Sequence, residues 1–340
     1  MAKKLKVGVI GAGRIGRIHA QNLSLRIPNA EVEMISDVRL DCAEAAAREF
    51  HIRHAAADYH AILDRKDIAA VVICSPTNTH ARMIEESCSR QKHIFCEKPI
   101  DLDLGTIRKA LRAVADAGVK LQVGFNRRFD PNFKRAKEWV REGKIGTPHI
   151  VRITSRDPAP PPLEYLKASG GIFLDMTIHD FDMARYLIGE EIAEVWAAGG
   201  CLINPEIRDA GDIDTAVVTM RYKSGAFCVI DNSRKAVYGY DQRAEVFGSK
   251  GCITVANDTP SRAGLWDESG QRREPFLFFF LERYQAAYAA EMKEFVDCVL
   301  EDREPSVTGS DGLKSVVLGL AAQKSLKEGR PVRVDGEKIQ

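Results

Sequence analysis

Apolar positions in the first third of the chain follow two alternating periods. Short β-branched runs at Lys6 to Ile10, Glu31 to Ser36, Ala70 to Cys74, His93 to Cys96 and Lys120 to Gly124 read as strands. Ala70-Val71-Val72-Ile73-Cys74 has no polar position, which suits a parallel strand buried on both faces. Helical spacing covers Asp41 to Phe50, Tyr59 to Leu63, the segment around Ile84, and Leu104 to Ala117. This repetition predicts an α/β fold with a doubly wound parallel sheet over residues 1–124.

The alternation stops after Gly124. A helix at Asn132 to Glu142 leads to a strand at Pro148 to Thr154. Strands follow at Ile192 to Ala198, Thr215 to Tyr222, Ala226 to Asn232, Gln242 to Phe247 and Cys252 to Ala256. Turns such as Lys223-Ser224-Gly225 and Gly248-Ser249-Lys250-Gly251 separate them, and helices near Glu282 to Leu300 and Ser310 to Glu328 close the chain. Residues 125–340 are expected to form an α+β domain with an open, mostly antiparallel sheet. The stiff run Pro158 to Pro162 either walls a pocket or serves as a linker.

Bulk properties narrow the function. The 340 residues suffice for two cored domains, and 45% hydrophobic with 29% charged residues is ordinary for a soluble protein. A net charge of +1 gives no bulk attraction to nucleic acid or a membrane surface. No apolar run approaches the ~20 residues that span a bilayer. The N-terminus Met1-Ala2-Lys3-Lys4 precedes too short a run for a secretion signal. The eight cysteines are scattered without a C-x-x-C pair, which favours free thiols in a reducing cytoplasm.

The first strand ends at Gly11-Ala12-Gly13-Arg14-Ile15-Gly16, a G-x-G-x-x-G loop between strand and helix. Gly11 permits the turn, Gly13 lets backbone approach a pyrophosphate, and Gly16 lets the helix pack closely. The helix N-terminus offers free N–H groups to phosphate. Asp37 closes the second strand, placed to accept hydrogen bonds from the adenosine ribose. It favours NAD over NADP, while Arg39 leaves NADP as the weaker alternative. Ser75, Pro76, Thr77, Asn78 and His80 lie at the carboxyl end of a sheet strand, where open α/β sheets bind ligands.

Two further features carry chemistry. Glu97-Lys98-Pro99 ends a strand, and Lys98 there faces the nicotinamide half of a dinucleotide or is a turn lysine. Pro99 favours extended backbone at Lys98 and admits a cis bond. In the run Gly170 to Asp182, Asp175 and His179 lie four residues apart, on one face of a helix. They read as a general-base pair, as a helix-terminal acid with a satisfied histidine, or as a zinc pair.

Together these segments resemble the glucose-fructose oxidoreductase/inositol dehydrogenase family. The residues carrying the resemblance are the glycine loop, Glu97-Lys98-Pro99, and Gly170-Gly171 followed by Asp175 and His179. The runs 124–131, 154–162, 170–185 and 237–243 are most similar to its myo-inositol branch. The resemblance implies NAD-dependent oxidation of myo-inositol at the 2-hydroxyl, with scyllo- or D-chiro-inositol or an aldose as alternative substrates. It implies Lys98, Asp175 and His179 as the catalytic trio, Arg127, Asp157 and Tyr238 as polyol contacts, no metal, and a homotetramer. Asn126 stands where the family usually has methionine, which bears on substrate preference. A non-catalytic NAD(H) sensor is disfavoured because Lys98, Asp175 and His179 are all present.

Overall fold

A computed structural model describes residues 4–340. Met1 to Lys3 of the expected signal-free N-terminus lie outside the described residues. The chain divides into two compact units, one comprising residues through Phe129 with Ala286–Leu313, the other Asp130–Gln285 with Lys314–Gln340.

The first unit holds six parallel strands, β1 (Leu5–Ile10), β2 (Ala30–Ser36), β3 (His54–Ala56), β4 (Ala70–Ile73), β5 (His93–Glu97) and β6 (Leu121–Gly124). Their spatial order is β3-β2-β1-β4-β5-β6. The order reverses beside β1, so the carboxyl ends of β1 and β4 border a ligand crevice. Central β1 is buried except for Lys6, as a strand covered on both faces must be. Asp103 caps the helix Leu104–Ala117 by accepting from Thr106 N at 2.7 Å, and Gly118 ends it at φ 65°. The helix Gln285–Leu300 returns Met292, Phe295 and Val296 to this core, where the Phe295 ring lies 5.9 Å from that of Phe95.

The second unit holds an eight-stranded sheet and a two-stranded hairpin. The strands are β7 (Pro148–Arg156), β8 (Ile192–Gly200), β9 (Thr215–Tyr222), β10 (Phe227–Ser233), β11 (Asp241–Gly248), β12 (Gly251–Val255), β13 (Gly264–Asp267), β14 (Gly270–Arg273), β15 (Val332–Asp335) and β16 (Lys338–Ile339). The large sheet runs β12-β11-β7-β10-β9-β8-β15-β16, and β13 pairs with β14. The sheet is antiparallel except where β7 and β10 pair in parallel. Inward residues such as Val151, Ile153, Val218, Met220 and Ile230 are buried. The opposite face exposes Trp196, Val217, Phe227 and Phe247.

Two expectations change. The expected boundary at Gly124 becomes a discontinuous division, because apolar residues of a C-terminal helix complete the first core. The segment Glu282 to Leu300 is two helices, Phe280–Arg283 and Gln285–Leu300, separated at Tyr284. Among the described residues no helix is long and apolar enough to cross a membrane.

Candidate active site

The residues expected to face the nucleotide lie in the first unit. Gly11 takes φ 101°, and a Cβ there would stand 2.7 Å from the Cys74 carbonyl oxygen. At Gly16 a Cβ would meet the Gly11 carbonyl oxygen at 1.9 Å, so any side chain would push the helix off the strand. Gly13 is exposed, with nothing within 4 Å of an added Cβ. It begins the helix Arg14–Leu25, which has no side-chain cap and no acid in its first turn. Uncapped N–H groups on a twelve-residue helix beside an open backbone form a cradle for an anion, and the dipole adds to it. These residues fit the pyrophosphate of NAD. Arg14 is exposed and Ile15 half-buried on the first turn.

Asp37 is half-buried at the end of β2. Its Oδ2 accepts from Ala12 N at 2.8 Å and its Oδ1 from Arg39 N at 2.9 Å. Two backbone donors thus fix a negative charge beside the glycine loop, with lone pairs left for ribose hydroxyls. The Arg39 side chain is exposed.

After β4, Ser75 Oγ meets Thr79 Oγ1 at 2.6 Å, and Thr77 opens a single 3₁₀ turn with Pro76 and Asn78 exposed. His80 is buried. Its Nδ1 lies 2.8 Å from the Pro99 carbonyl oxygen and its Nε2 2.7 Å from that of Ser75. Only an imidazolium donates to both, but burial opposes that charge and pushes the ring below its usual range. The side chain therefore ties two loops together, with both nitrogens turned to backbone.

At the end of β5, Glu97 and Lys98 are half-buried and Lys98-Pro99 is cis. Glu97 Oε1 lies 2.7 Å from His19 Nε2, and Oε2 accepts from Lys98 N at 3.3 Å. Burial pushes the neighbouring Cys74 and Cys96 thiols well up, and the Glu97 charge adds to it. Asn126 and Arg127 sit on a 3₁₀ turn after β6, 3% and 5% exposed. The Asn126 Nδ2 donor has no hydrogen-bond partner. Leaving a buried donor unmade costs about 1–3 kcal/mol, so a ligand acceptor is the natural occupant.

In the second unit the single helix expected for Asp175 and His179 is broken. Asp175 ends the helix Gly171–Asp175, and His179 is the second residue of Ile178–Ile188. At the break Thr177 N reaches back five residues to the Ile172 carbonyl at 2.9 Å. Thr177 Oγ1 also donates to Asn232 Oδ1 at 2.7 Å, which pins the break to β10. Gly170 and Gly171 precede it at φ 83° and 79°, as the turn requires.

Asp175 accepts from Tyr165 Oη at 2.8 Å and from Arg234 Nη1 at 3.3 Å. Arg234 is 1% exposed and also reaches Asp212 at 3.4 Å. Tyr165, Arg234 and Asp212 were not legible as site residues. The polar run Asn232-Ser233-Arg234 at the end of an apolar strand was the available signal. Asp157 follows β7 and is bound to the chain near Ser233 through its backbone. The Tyr238 hydroxyl donates to Asp241 Oδ2 at 2.7 Å and accepts from Arg156 at 2.9 Å.

Both units match family domains of known proteins. Residues 5–125 match the oxidoreductase family with an NAD-binding Rossmann fold, and residues 133–254 match the GFO/IDH/MocA C-terminal domain. The chain is 52% identical to the myo-inositol 2-dehydrogenase of Thermotoga maritima over 97% of its own length and 99% of that protein. It is 45% identical to the inositol 2-dehydrogenase of Rhizobium meliloti, covering 97% and 99%. Among solved structures, scyllo-inositol dehydrogenase from Lactobacillus casei with bound NAD(H) and scyllo-inositol superposes at a TM-score of 0.91, with 33% identity over 97% and 99% of the two chains. The chain belongs to the GFO/IDH/MocA oxidoreductase family and is an NAD-binding enzyme.

Proposed function

We propose that this enzyme oxidises the 2-hydroxyl of myo-inositol to 2-keto-myo-inositol with NAD as acceptor. The observation that carries the reading is the 52% identity over essentially the full length of the Thermotoga maritima myo-inositol 2-dehydrogenase. A second reading, scyllo-inositol as substrate, is favoured by the likeness to the Lactobacillus casei enzyme. D-chiro-inositol and aldoses complete the comparison set.

When bound, NAD supplies a hydride acceptor at nicotinamide C4. The pyrophosphate is assigned to Gly11, Gly13, Arg14, Ile15 and Gly16, and the adenosine ribose to Asp37, with Arg39 beside it. Ser75, Pro76, Thr77, Asn78, His80 and Glu97 complete the nucleotide-binding loops. As the substrate C–H bond breaks, the hydroxyl proton passes to His179. Asp175, anchored by Tyr165 and Arg234, supplies fixed negative charge for the imidazolium that forms. The Lys98 ammonium stabilises the alkoxide as it develops. Arg127, Asp157 and Tyr238 contact polyol hydroxyls. The unpartnered Asn126 amide donates to a ligand oxygen, either a hydroxyl or the nicotinamide carboxamide.

The eight unpaired cysteines support a cytoplasmic location, and inositol catabolism is the role that the proposed reaction would serve there. The exposed sheet face carrying Trp196, Val217, Phe227 and Phe247 supports assembly, read here as a homotetramer. A panel of myo-, scyllo- and D-chiro-inositol and glucose, each assayed with NAD, tests the substrate. The highest kcat/KM is expected for myo-inositol; a preference for any other polyol would reassign it.

A further inference from the structure

Behind the strand end that carries Lys98, three polar side chains meet inside the first unit. His19 comes from the second turn of the helix Arg14–Leu25, Glu97 from the end of β5, and Glu291 from the helix Gln285–Leu300. His19 and Glu291 are fully buried. His19 Nε2 lies 2.7 Å from Glu97 Oε1 and 4.0 Å from Glu291 Oε1. The imidazole is held edge-on to Phe95 and Tyr288, at centroid distances of 5.0 and 5.8 Å. Glu97 Oε2 accepts the Lys98 backbone N–H, and a Cβ on Gly124 would stand 2.9 Å from it. Both oxygens of the Glu97 carboxylate are therefore confined.

An ionised carboxylate only accepts, so His19 Nε2 carries the proton it shares with Glu97. Two adjacent buried carboxylates cannot both ionise without a large penalty. Burial, with the charges of Glu97 and Glu294 added, pushes the Glu291 carboxyl well above its usual range. Neither Glu291 oxygen has a hydrogen-bond partner, which disfavours a second buried charge beside Glu97. The Cys74 and Cys96 thiols that also face this cluster are pushed up and uncharged. His19 Nε2 is thus the side-chain partner that holds Glu97 Oε1 in place.

We propose that His19 is a positioning residue for Lys98, acting through the Glu97 carboxylate, with Glu291 packed behind them. The inference rests on the catalytic role proposed for Lys98. Misplacing a reacting group by about 1 Å can cost about 10²-fold. His19→Leu is expected to lower kcat about 10- to 100-fold while NADH affinity, read by fluorescence titration, changes less than about threefold. His19→Gln, whose amide can still donate to Glu97, should recover most of the kcat, which a purely structural role would not predict. Glu291→Gln copies the neutral acid and should keep wild-type kcat and melting temperature. A crystal structure of His19→Leu should show the Glu97 carboxylate displaced, and this readout survives even if wild type oxidises no polyol, the outcome that would instead defeat the functional reading. The proposal is overturned by wild-type kcat in His19→Leu, by an unmoved Glu97, by an inactive Glu291→Gln, or by a stoichiometric divalent metal in the purified protein that Glu291→Gln loses.

Discussion

At the scale of residues, the proposed chemistry rests on side chains whose partners are fixed in advance. His179→Ala should lower kcat by about 10²–10⁴-fold with NADH affinity unchanged, the range expected for losing a positioned base; near-normal turnover would remove His179 from that role. Arg234 is the buried cation between Asp175 and Asp212. Arg234→Met should destabilise the protein by about 3–5 kcal/mol in denaturant unfolding, because two carboxylates lose their counter-charge. Asp37→Ala should weaken discrimination against NADP, read as the ratio of kcat/KM for the two cofactors. Gly11, Gly13, Gly16 and Lys98 were legible because glycine loops and strand-end dipeptides are local in sequence. Arg234, Tyr165, His19 and Glu291 were not, because each acts on a residue far along the chain or on another element. The geometry of the Asp175 and His179 pair was not legible, since the break at Met176-Thr177 depends on Asn232 from a distant strand.

At the scale of elements, most strands of the first sheet could be read almost to the residue because they are short β-rich runs bounded by turns and helices, and β4 is an unbroken apolar run. The exception is β3, whose three residues His54–Ala56 give no periodicity. The second sheet's alternation located β7 to β12, while β13 and β14 are four residues each, exposed along most of their length, and show no alternating buried face. Element ends also set a pH dependence. Glu191 accepts from Arg185 Nε at 2.9 Å and from Lys314 Nζ at 2.8 Å, joining the end of the helix Ile178–Ile188 to the helix Gly309–Glu328. The Arg185 hydrogen bond leads the effects that hold its carboxyl at about 2 instead of the usual 4.5. A depressed acid stabilises the fold above its unfolded value and loses that contribution as pH falls through the folded one. Wild type should lose this contribution between about pH 4.5 and 2, whereas Glu191→Gln should melt lower at neutral pH and lose less on acidification, as followed by thermal melts.

At the scale of the whole molecule, the order of the chain hid one feature. Ala286–Leu313 completes the core of the first unit, although nothing in its amphipathic pattern says which core it joins. The Trp196 and Phe227 face was visible as strand alternation, but its exposure was not. Trp196→Glu should dissociate the proposed homotetramer, read as a drop in mass by light scattering; an unchanged mass would move the interface elsewhere. The central claim concerns the reaction itself, and the most direct measurement is the initial rate of NADH formation with myo-inositol, with the product identified by mass and NMR. The account predicts NAD-dependent turnover that yields 2-keto-myo-inositol and falls by at least about 10²-fold in His179→Ala. No NADH formation from myo-inositol, or formation of a ketone at another carbon, would contradict it.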